Sequence, residues 1–109
     1  MKILSRAEEV ILLTILKIDG DAYGVSIRQR IFDDTGDWWS FASIYTPLDK
    51  LVRKRYALKT KGGPTAKRGG KSKFFYEVTN DGKRALLDLQ RAQNQIWAGV
   101  PRIAAEKAK

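Results

Sequence analysis

The sequence predicts a mainly α-helical domain with one small β-hairpin, an α+β fold in which three helices precede two strands and a last helix follows. Two observations predict this order. Apolar residues recur at helical spacing before residue 54 and again after residue 85. Between these regions, residues 57–61 and 73–79 follow the period of two that is typical of strands.

Composition narrows the possible functions. The 109 residues are enough for one domain, and the net charge of +9 indicates a polyanionic partner or an anionic membrane surface. The cations concentrate in the middle third, which favours a defined binding face. With no cysteine, no histidine and scattered carboxylates, we expect no enzyme, no cofactor and no metal site. The longest apolar run, residues 10–16, is shorter than the ~20 residues of a membrane span, and no signal peptide is evident, so we expect a cytoplasmic protein.

The first helix is predicted over residues 6–18. Ser5 and Glu8 have the spacing of a capping box, in which each side chain bonds the backbone of the other. A wide apolar arc predicts that the helix is buried on most of its circumference. Gly20 is the expected left-handed C-cap.

The second helix is predicted to begin after Asp21 as its N-cap and to end at residues 35–37. Its inward-facing residues are expected to be Ile27, Ile31 and Phe32. Gly24 near its start indicates a close approach, by a neighbouring helix or by a phosphate at the helix N-terminus. Trp38 and Trp39 follow, either as one core anchor and one surface lid or as stacking faces for a ligand or base.

The central helix lies within residues 40–57. Its apolar stripe (Ile44, Leu48, Leu51 and Val52) predicts one buried face. Ser40 or Ser43 is the N-cap. Pro47 would cost ~3 kcal/mol in a helix interior, which favours the start at Ser43.

The other face of the central helix is rich in hydrogen-bond donors and cations. These residues are Ser43, Tyr45, Thr46, Lys50, Arg53 and Lys54. Such a face suits an element that lies in a DNA groove, although an ordinary surface helix with a basic face is also possible.

The two strands enclose a Gly-rich, basic segment, residues 62–72, without apolar anchors. We expect a hairpin with a long cationic tip. Nucleotide phosphate binding by this segment is disfavoured, because it has neither Walker spacing nor a GxGxxG pattern.

The last helix is predicted to be capped within residues 79–82. Its apolar seam contains Leu86, Leu89, Gln93, Ile96, Val100 and Ile103, with Leu87 and Trp97 beside it. Gly99 and Pro101 predict a break near Ala98. The seam could fold back on the core or pair with another subunit, and pairing is favoured because so small a domain has little spare core to cover it. We therefore predict a domain over 1–79 and a dimerisation helix with a frayed tail over 80–109.

Helices, a hairpin with a basic tip and a final helix, in this order, make a winged helix-turn-helix. Within it, Ala22-Tyr23-Gly24, Tyr45-Thr46-Pro47-Leu48-Asp49-Lys50-Leu51, and the run from Phe75 to Gly82 resemble the PadR family of bacterial transcriptional regulators. The resemblance covers about residues 8–83.

The resemblance implies a DNA-binding repressor, usually a homodimer, with helix three in the major groove, a wing on the backbone, and a single dimerisation helix. The implied DNA contacts are Tyr23, Ser43, Tyr45, Thr46 and Lys50, with Lys67, Arg68, Lys71 and Lys73 on the wing. The implied dimer contacts are Leu86, Leu89, Gln93, Ile96 and Trp97. Some family members bind planar aromatic compounds, so Trp97 is the expected stacking position for a small aromatic effector.

Two residues or groups depart from the family pattern. Arg55 stands where the family commonly has Gly, so it must adopt a left-handed conformation or the exit from helix three must differ. The pair of tryptophans lies outside the pattern. A basic RNA-binding or ribosome-associated module is the alternative function, with Trp38, Trp39 and Phe75 as exposed stacking faces.

Overall fold

The computed structural model describes residues 4–62 and 73–108. Within these ranges the chain forms helices and one antiparallel hairpin, which confirms the predicted mainly α-helical winged helix-turn-helix. In chain order the elements are α1 (Arg6–Ile18), α2 (Gly24–Thr35), α3 (Phe41–Arg53), β1 (Ala57–Lys61), β2 (Phe74–Val78), α4 (Asn80–Trp97) and α5 (Val100–Lys107). No helix in the described ranges is long and apolar enough to cross a bilayer.

Helix α1 begins at the predicted capping box. The Ser5 N–H donates to Glu8 Oε1 at 2.8 Å, and the Glu8 N–H donates to Ser5 Oγ at 3.1 Å. Its C-cap is Asp19 rather than Gly20. Asp19 has a φ of 50° and donates its N–H to the Ile15 carbonyl, because Asp is one of the few non-glycine residues that enter the left-handed region.

The N-cap of helix α2 lies two residues later than predicted. The N-cap is Tyr23, whose N–H donates to Ser26 Oγ at 2.9 Å, so the prediction of Asp21 as the N-cap was wrong. Ile27 and Ile31 are buried as predicted, but Phe32 is 40% exposed. Phe32 lies at the surface because it packs edge-on against Trp38 rather than against the core.

Helix α3 is capped by Ser40, whose Oγ accepts the Ser43 N–H at 3.1 Å. The preferred later start at Ser43 was therefore wrong, and Pro47 lies inside the helix. Its lost hydrogen bond costs ~3 kcal/mol. This cost is offset by the neighbouring buried stripe, where Ile44, Leu48 and Leu51 are fully buried and each contributes about 1.5–3 kcal/mol.

The wing is attached to the helices at its base. Strands β1 and β2 pair in antiparallel register from Ala57↔Val78 to Lys61↔Phe74. The Tyr76 N–H donates to the Ala22 carbonyl at 2.8 Å, which joins β2 to the segment before α2. Arg55 has a φ of 63°, so the left-handed conformation expected at this position is confirmed.

The core surrounds α1, which packs against α2, α3, β2 and α4. Beyond it, the last helix divides as predicted. Helix α4 ends at Trp97, Gly99 has a φ of 80°, and α5 follows. Helix α5 continues to Lys107, with Pro101 in its first turn. Pro is well tolerated there because first-turn N–H groups have no partner within the helix.

Candidate nucleic-acid interface

The outward face of α3 carries a line of exposed polar side chains. Ser43, Thr46 and Lys50 are spaced by three and four residues, so they lie along one side of the helix, and all three are exposed. The buried stripe on the opposite side holds this line in a fixed orientation toward solvent. A hydroxyl can donate to or accept from a base edge, and a lysine can donate to guanine acceptors.

Tyr45 lies at the edge of this face, where it packs over the start of α2. A Cβ on Gly24 would lie 1.9 Å from the Tyr45 hydroxyl oxygen and 2.5 Å from its Cζ. The close approach predicted at Gly24 therefore comes from a side chain of the neighbouring helix, as one of the two alternatives predicted. Tyr45 nonetheless remains 41% exposed, so its ring edge is accessible to a ligand.

A groove of about 410 Å³ separates the helices from the wing. Its walls are formed by Tyr23, Gly24, Tyr45, Asp49, Lys59, Lys73, Phe74 and Tyr76. Burial raises the pKa of Tyr76, and the neighbouring Tyr45 and Asp49 raise it further, so its phenol is neutral at pH 7. Apart from Asp49, the groove presents phenols and ammonium groups, a lining that suits an anionic partner.

Two lysines of the wing, Lys59 and Lys73, lie over aromatic rings. Lys73 Nζ lies 3.8 Å from the centroid of the Tyr23 ring, which itself meets Phe75 edge-on at 5.9 Å. Lys59 Nζ lies 4.2 Å from the centroid of Phe74. These contacts fix both ammonium groups at the groove and leave their charge available. The predicted contacts Lys67, Arg68 and Lys71 lie outside the described residues.

Lys54 does not belong to this basic face. Its Nζ lies 2.7 Å from Glu8 Oε2, and the Glu8 side chain is only 4% exposed. Burial raises the pKa of Glu8, but hydrogen bonds from Lys54 and Ser5, together with the Lys54 charge, more than offset this effect and lower the pKa overall. Sequence reasoning missed this pair, because its partners are 46 residues apart along the chain.

A second feature that sequence reasoning missed is the environment of Arg28. Its Cζ lies 4.3 Å from the centroid of Trp38 and 4.2 Å from that of Phe41, and its Nε–H donates to the Trp39 carbonyl at 2.6 Å. Trp39 is half-buried against the core, whereas Trp38 is 52% exposed. The tryptophans thus match the predicted anchor and lid. The role of Arg28 could not be read from helical periodicity, which places it outward.

The predicted dimer contacts fall into two groups. Leu86 is buried and Leu89 packs against the core, while Gln93 is half-buried. Ile96 is 74% exposed and Trp97 is 58% exposed. The start of the seam therefore folds back on the core, as one alternative predicted, and its end is uncovered in the described chain.

An apolar groove of about 530 Å³ runs beside the covered part of the seam, between α1 and α4. Its lining consists of Glu9, Leu13, Leu16, Lys83, Leu86, Leu87, Gln90 and Gln93. Among the described residues no group of three or more acidic side chains is arranged to hold a metal ion.

Comparisons with known proteins agree with this geometry. The model of the Transcriptional regulator PadR-like family matches residues 12–88. A comparison with curated proteins found no match.

Solved structures share the fold. A PadR-like transcriptional regulator from Bacillus cereus is 19% identical, with a TM-score of 0.70 over 88% of each chain. A PadR family transcription regulator from Clostridium difficile is 17% identical, with a TM-score of 0.66 over 96% of this chain and 100% of that one. Bacillus subtilis PadR, solved in complex with operator DNA, is 24% identical, with a TM-score of 0.65 over 81% of this chain and 48% of that one.

Proposed function

Since the chain belongs to the PadR-like family of transcriptional regulators, we propose that it binds duplex DNA of specific sequence with α3 in the major groove. The observation that carries this proposal is the line of Ser43, Thr46 and Lys50, which a fully buried stripe holds toward solvent beside a basic groove. The similar Bacillus subtilis protein binds operator DNA. We assign the protein no catalytic activity and place it in the cytoplasm, where its target DNA would lie.

In this proposal the residues divide between reading bases and holding the backbone. Ser43, Thr46 and Lys50 read base edges, with Tyr45 at the border of the same face. Tyr23, Lys59 and Lys73 in the groove contact the phosphate backbone, together with the wing cations Lys67, Arg68 and Lys71. Each phosphate neutralised lowers log K by about 0.9 per tenfold increase in salt.

We further propose that the protein acts as a homodimer through the end of the seam that includes Ile96 and Trp97. The support is the exposure of both side chains on a helix end that the described residues of a single chain leave uncovered. Two copies would place two α3 helices on half-sites about 34 Å apart. A dimer bound in this way over a promoter would repress transcription by occupying the site.

Trp97 is the proposed stacking position for a small planar aromatic effector. Its exposed ring lies on the dimerisation helix, so a ligand there would change the spacing between the two copies and shift the population that fits DNA. Titration of a planar aromatic dye that does not itself bind duplex DNA should quench the tryptophan fluorescence of the wild type more than that of Trp97→Phe, and it should weaken promoter binding by the wild type. A dye that binds there and leaves promoter affinity unchanged would remove the regulatory part of the proposal.

Fluorescence anisotropy across a salt series tests DNA recognition. The probes are a duplex carrying the promoter upstream of the protein's own coding region, a scrambled duplex and a single-stranded RNA of equal length. We expect at least about a hundredfold preference for the promoter duplex, with two chains bound per duplex. Equal affinity for both duplexes, or tighter binding to RNA, would overturn the proposal.

The structure already weakens the RNA-binding alternative. Trp38 stacks on Arg28 and meets Phe32 edge-on, while Trp39 and Phe75 are half-buried, so the three aromatic rings do not form an open stacking platform.

A pair of variants separates base reading from backbone contact. Thr46→Ala should relax discrimination at one base position by about 1–3 kcal/mol while leaving scrambled-duplex affinity unchanged. Lys59→Gln should weaken binding to both duplexes equally and lower the salt slope by about 0.9 per chain. If Thr46→Ala behaved like Lys59→Gln, Thr46 would not read a base.

A further inference from the structure

Arg28 is a cation held without an acidic partner. The other arginine of α2, Arg30, pairs with Asp34, and Lys17 of α1 pairs with the same carboxylate. In the described part of the chain no carboxylate forms an ion pair with Arg28. Its guanidinium instead lies between the rings of Trp38 and Phe41, at 4.3 and 4.2 Å from their centroids.

This arrangement leaves part of the guanidinium free to bind. The guanidinium carbon lies over both rings, and the N–H donors of the group point outward in its plane. The Nε–H donates to the Trp39 carbonyl at 2.6 Å. The terminal nitrogens have no hydrogen-bond partner within residues 4–62 and 73–108, and Arg28 is only half-buried.

The Arg28 site, formed by Arg28, Trp38, Trp39 and Phe41, is connected to the basic groove of the proposed DNA-binding face. Phe41, in the first turn of α3, stacks on Tyr45 with centroids 6.2 Å apart, and Tyr45 lines that groove with Lys59 and Lys73. Arg28 therefore lies beside the beginning of α3. When a helix lies in the major groove, the phosphates of the groove edges flank it.

We propose that Arg28 is a phosphate-binding residue that docks the beginning of α3 against the DNA backbone. The inference rests on the proposed DNA binding and adds a contact on α2 that is separate from the wing. Arg28 is held in place before DNA arrives, because its two rings and the Trp39 carbonyl restrict the side chain. Little side-chain entropy is then lost when its terminal nitrogens bind phosphate oxygens.

The test compares Arg28→Gln with Arg30→Gln in the anisotropy salt series with promoter and scrambled duplexes. Both variants remove one charge from the same helix, but only Arg28 faces α3. We expect Arg28→Gln to weaken binding to both duplexes by about tenfold and to lower the salt slope by about 0.9 per bound chain. Arg30→Gln should stay within about twofold of the wild type.

Arg28 could instead have only a structural role, in which it stabilises the packing of α2 against α3. In that case Arg28→Gln would lower the melting temperature and the promoter affinity, but the salt slope would keep its wild-type value, and the proposal would be overturned. An equal loss of salt slope in Arg30→Gln would also overturn the proposal, because the loss of one positive charge anywhere on α2 would then explain the behaviour of both variants.

Arg28→Lys provides a second check. It retains the charge without the planar fork, so the slope should remain at the wild-type value while affinity falls about threefold. A slope as low as that of Arg28→Gln would count against the phosphate contact. If the wild type preferred neither duplex, the proposed function itself would be refuted. If the wild type preferred the promoter and the Arg28 variants bound equally well, only the role of Arg28 would be refuted.

Discussion

The two ends of the molecule bury their apolar side chains to very different extents. In the winged part, Ile11, Ile44 and Leu48 are completely buried. In the last helices, Ile96 is 74% exposed and Ile103 is 52% exposed. The winged part therefore completes a core from its own helices, whereas the C-terminal helices keep apolar surface that the described residues leave uncovered.

This difference follows from the length and direction of α4. Its first turns contribute Leu86 to the core, but 18 residues extend about 27 Å. The helix therefore runs beyond the body that it caps, and the molecule measures 56 Å along its longest axis against 31 and 21 Å along the others. The same helix thus serves folding at one end and exposes apolar surface at the other.

The largest expected effect is on the core of the winged part. Leu48→Ala should lower the free energy of unfolding by about 2–5 kcal/mol, because it leaves a cavity beneath α3. Ile103→Ala, a matched removal of an exposed side chain on α5, should change it by less than about 0.5 kcal/mol. Urea denaturation of both variants measures the contrast. Equal losses would mean that the two ends are not independent.

A charge on the exposed seam should act on association instead of folding. Ile96→Glu places a carboxylate where the proposed dimer buries an apolar side chain, so we expect the dimer dissociation constant to rise at least about tenfold. Sedimentation equilibrium measures this, and circular dichroism should show unchanged helix content. Glu106→Gln, on the exposed face of α5, is the control and should leave association unaltered. An unaltered dimer in Ile96→Glu would show that the seam does not mediate pairing.

Within the winged part, Glu8 and Lys54 couple α1 to the end of α3. Because the folded state lowers the pKa of Glu8 below its ordinary value of 4.5, the carboxylate stabilises the protein above that value. This contribution is lost as the pH falls through the folded pKa. We expect Glu8→Gln to cost about 1–2 kcal/mol at pH 7 and less than that at pH 3. Urea denaturation at both pH values measures it, and an equal cost at both would show that the ion pair is not the cause.

The smallest expected effect is at the exit from α3. Arg55 has a φ of 63°, which costs a residue with a side chain about 1 kcal/mol or more. Arg55→Gly should therefore be more stable than Arg55→Ala by about 1 kcal/mol, since both remove the same charge and only glycine relieves the strain. Thermal unfolding of the pair measures the difference. Equal stability would indicate that the turn rearranges around alanine.

Local patterns in the sequence predicted most of the fold. The capping box, the two strands and the break before α5 depend on neighbouring residues, so their signals are local. Errors occurred where a more distant contact decides. The buried stripe of α3 tolerates Pro47, and the Trp38 ring draws Phe32 to the surface.

The candidate site was predictable to a lesser extent. Helical spacing was enough to group Ser43, Thr46 and Lys50 on one face. It could not assign Lys54 to Glu8 or place Arg28 between two rings, because these contacts join different elements and depend on how the helices pack.

The contact between Gly24 and Tyr45 also restricts how this sequence can change over generations. A methyl group at position 24 would meet the Tyr45 hydroxyl at 1.9 Å, so a larger residue there must displace the phenol from the border of the proposed reading face. A shorter side chain at position 45 would remove that conflict. The residue at position 24 therefore limits which side chain position 45 can carry, and a larger residue at position 24 alone should displace Tyr45 from its place in the groove.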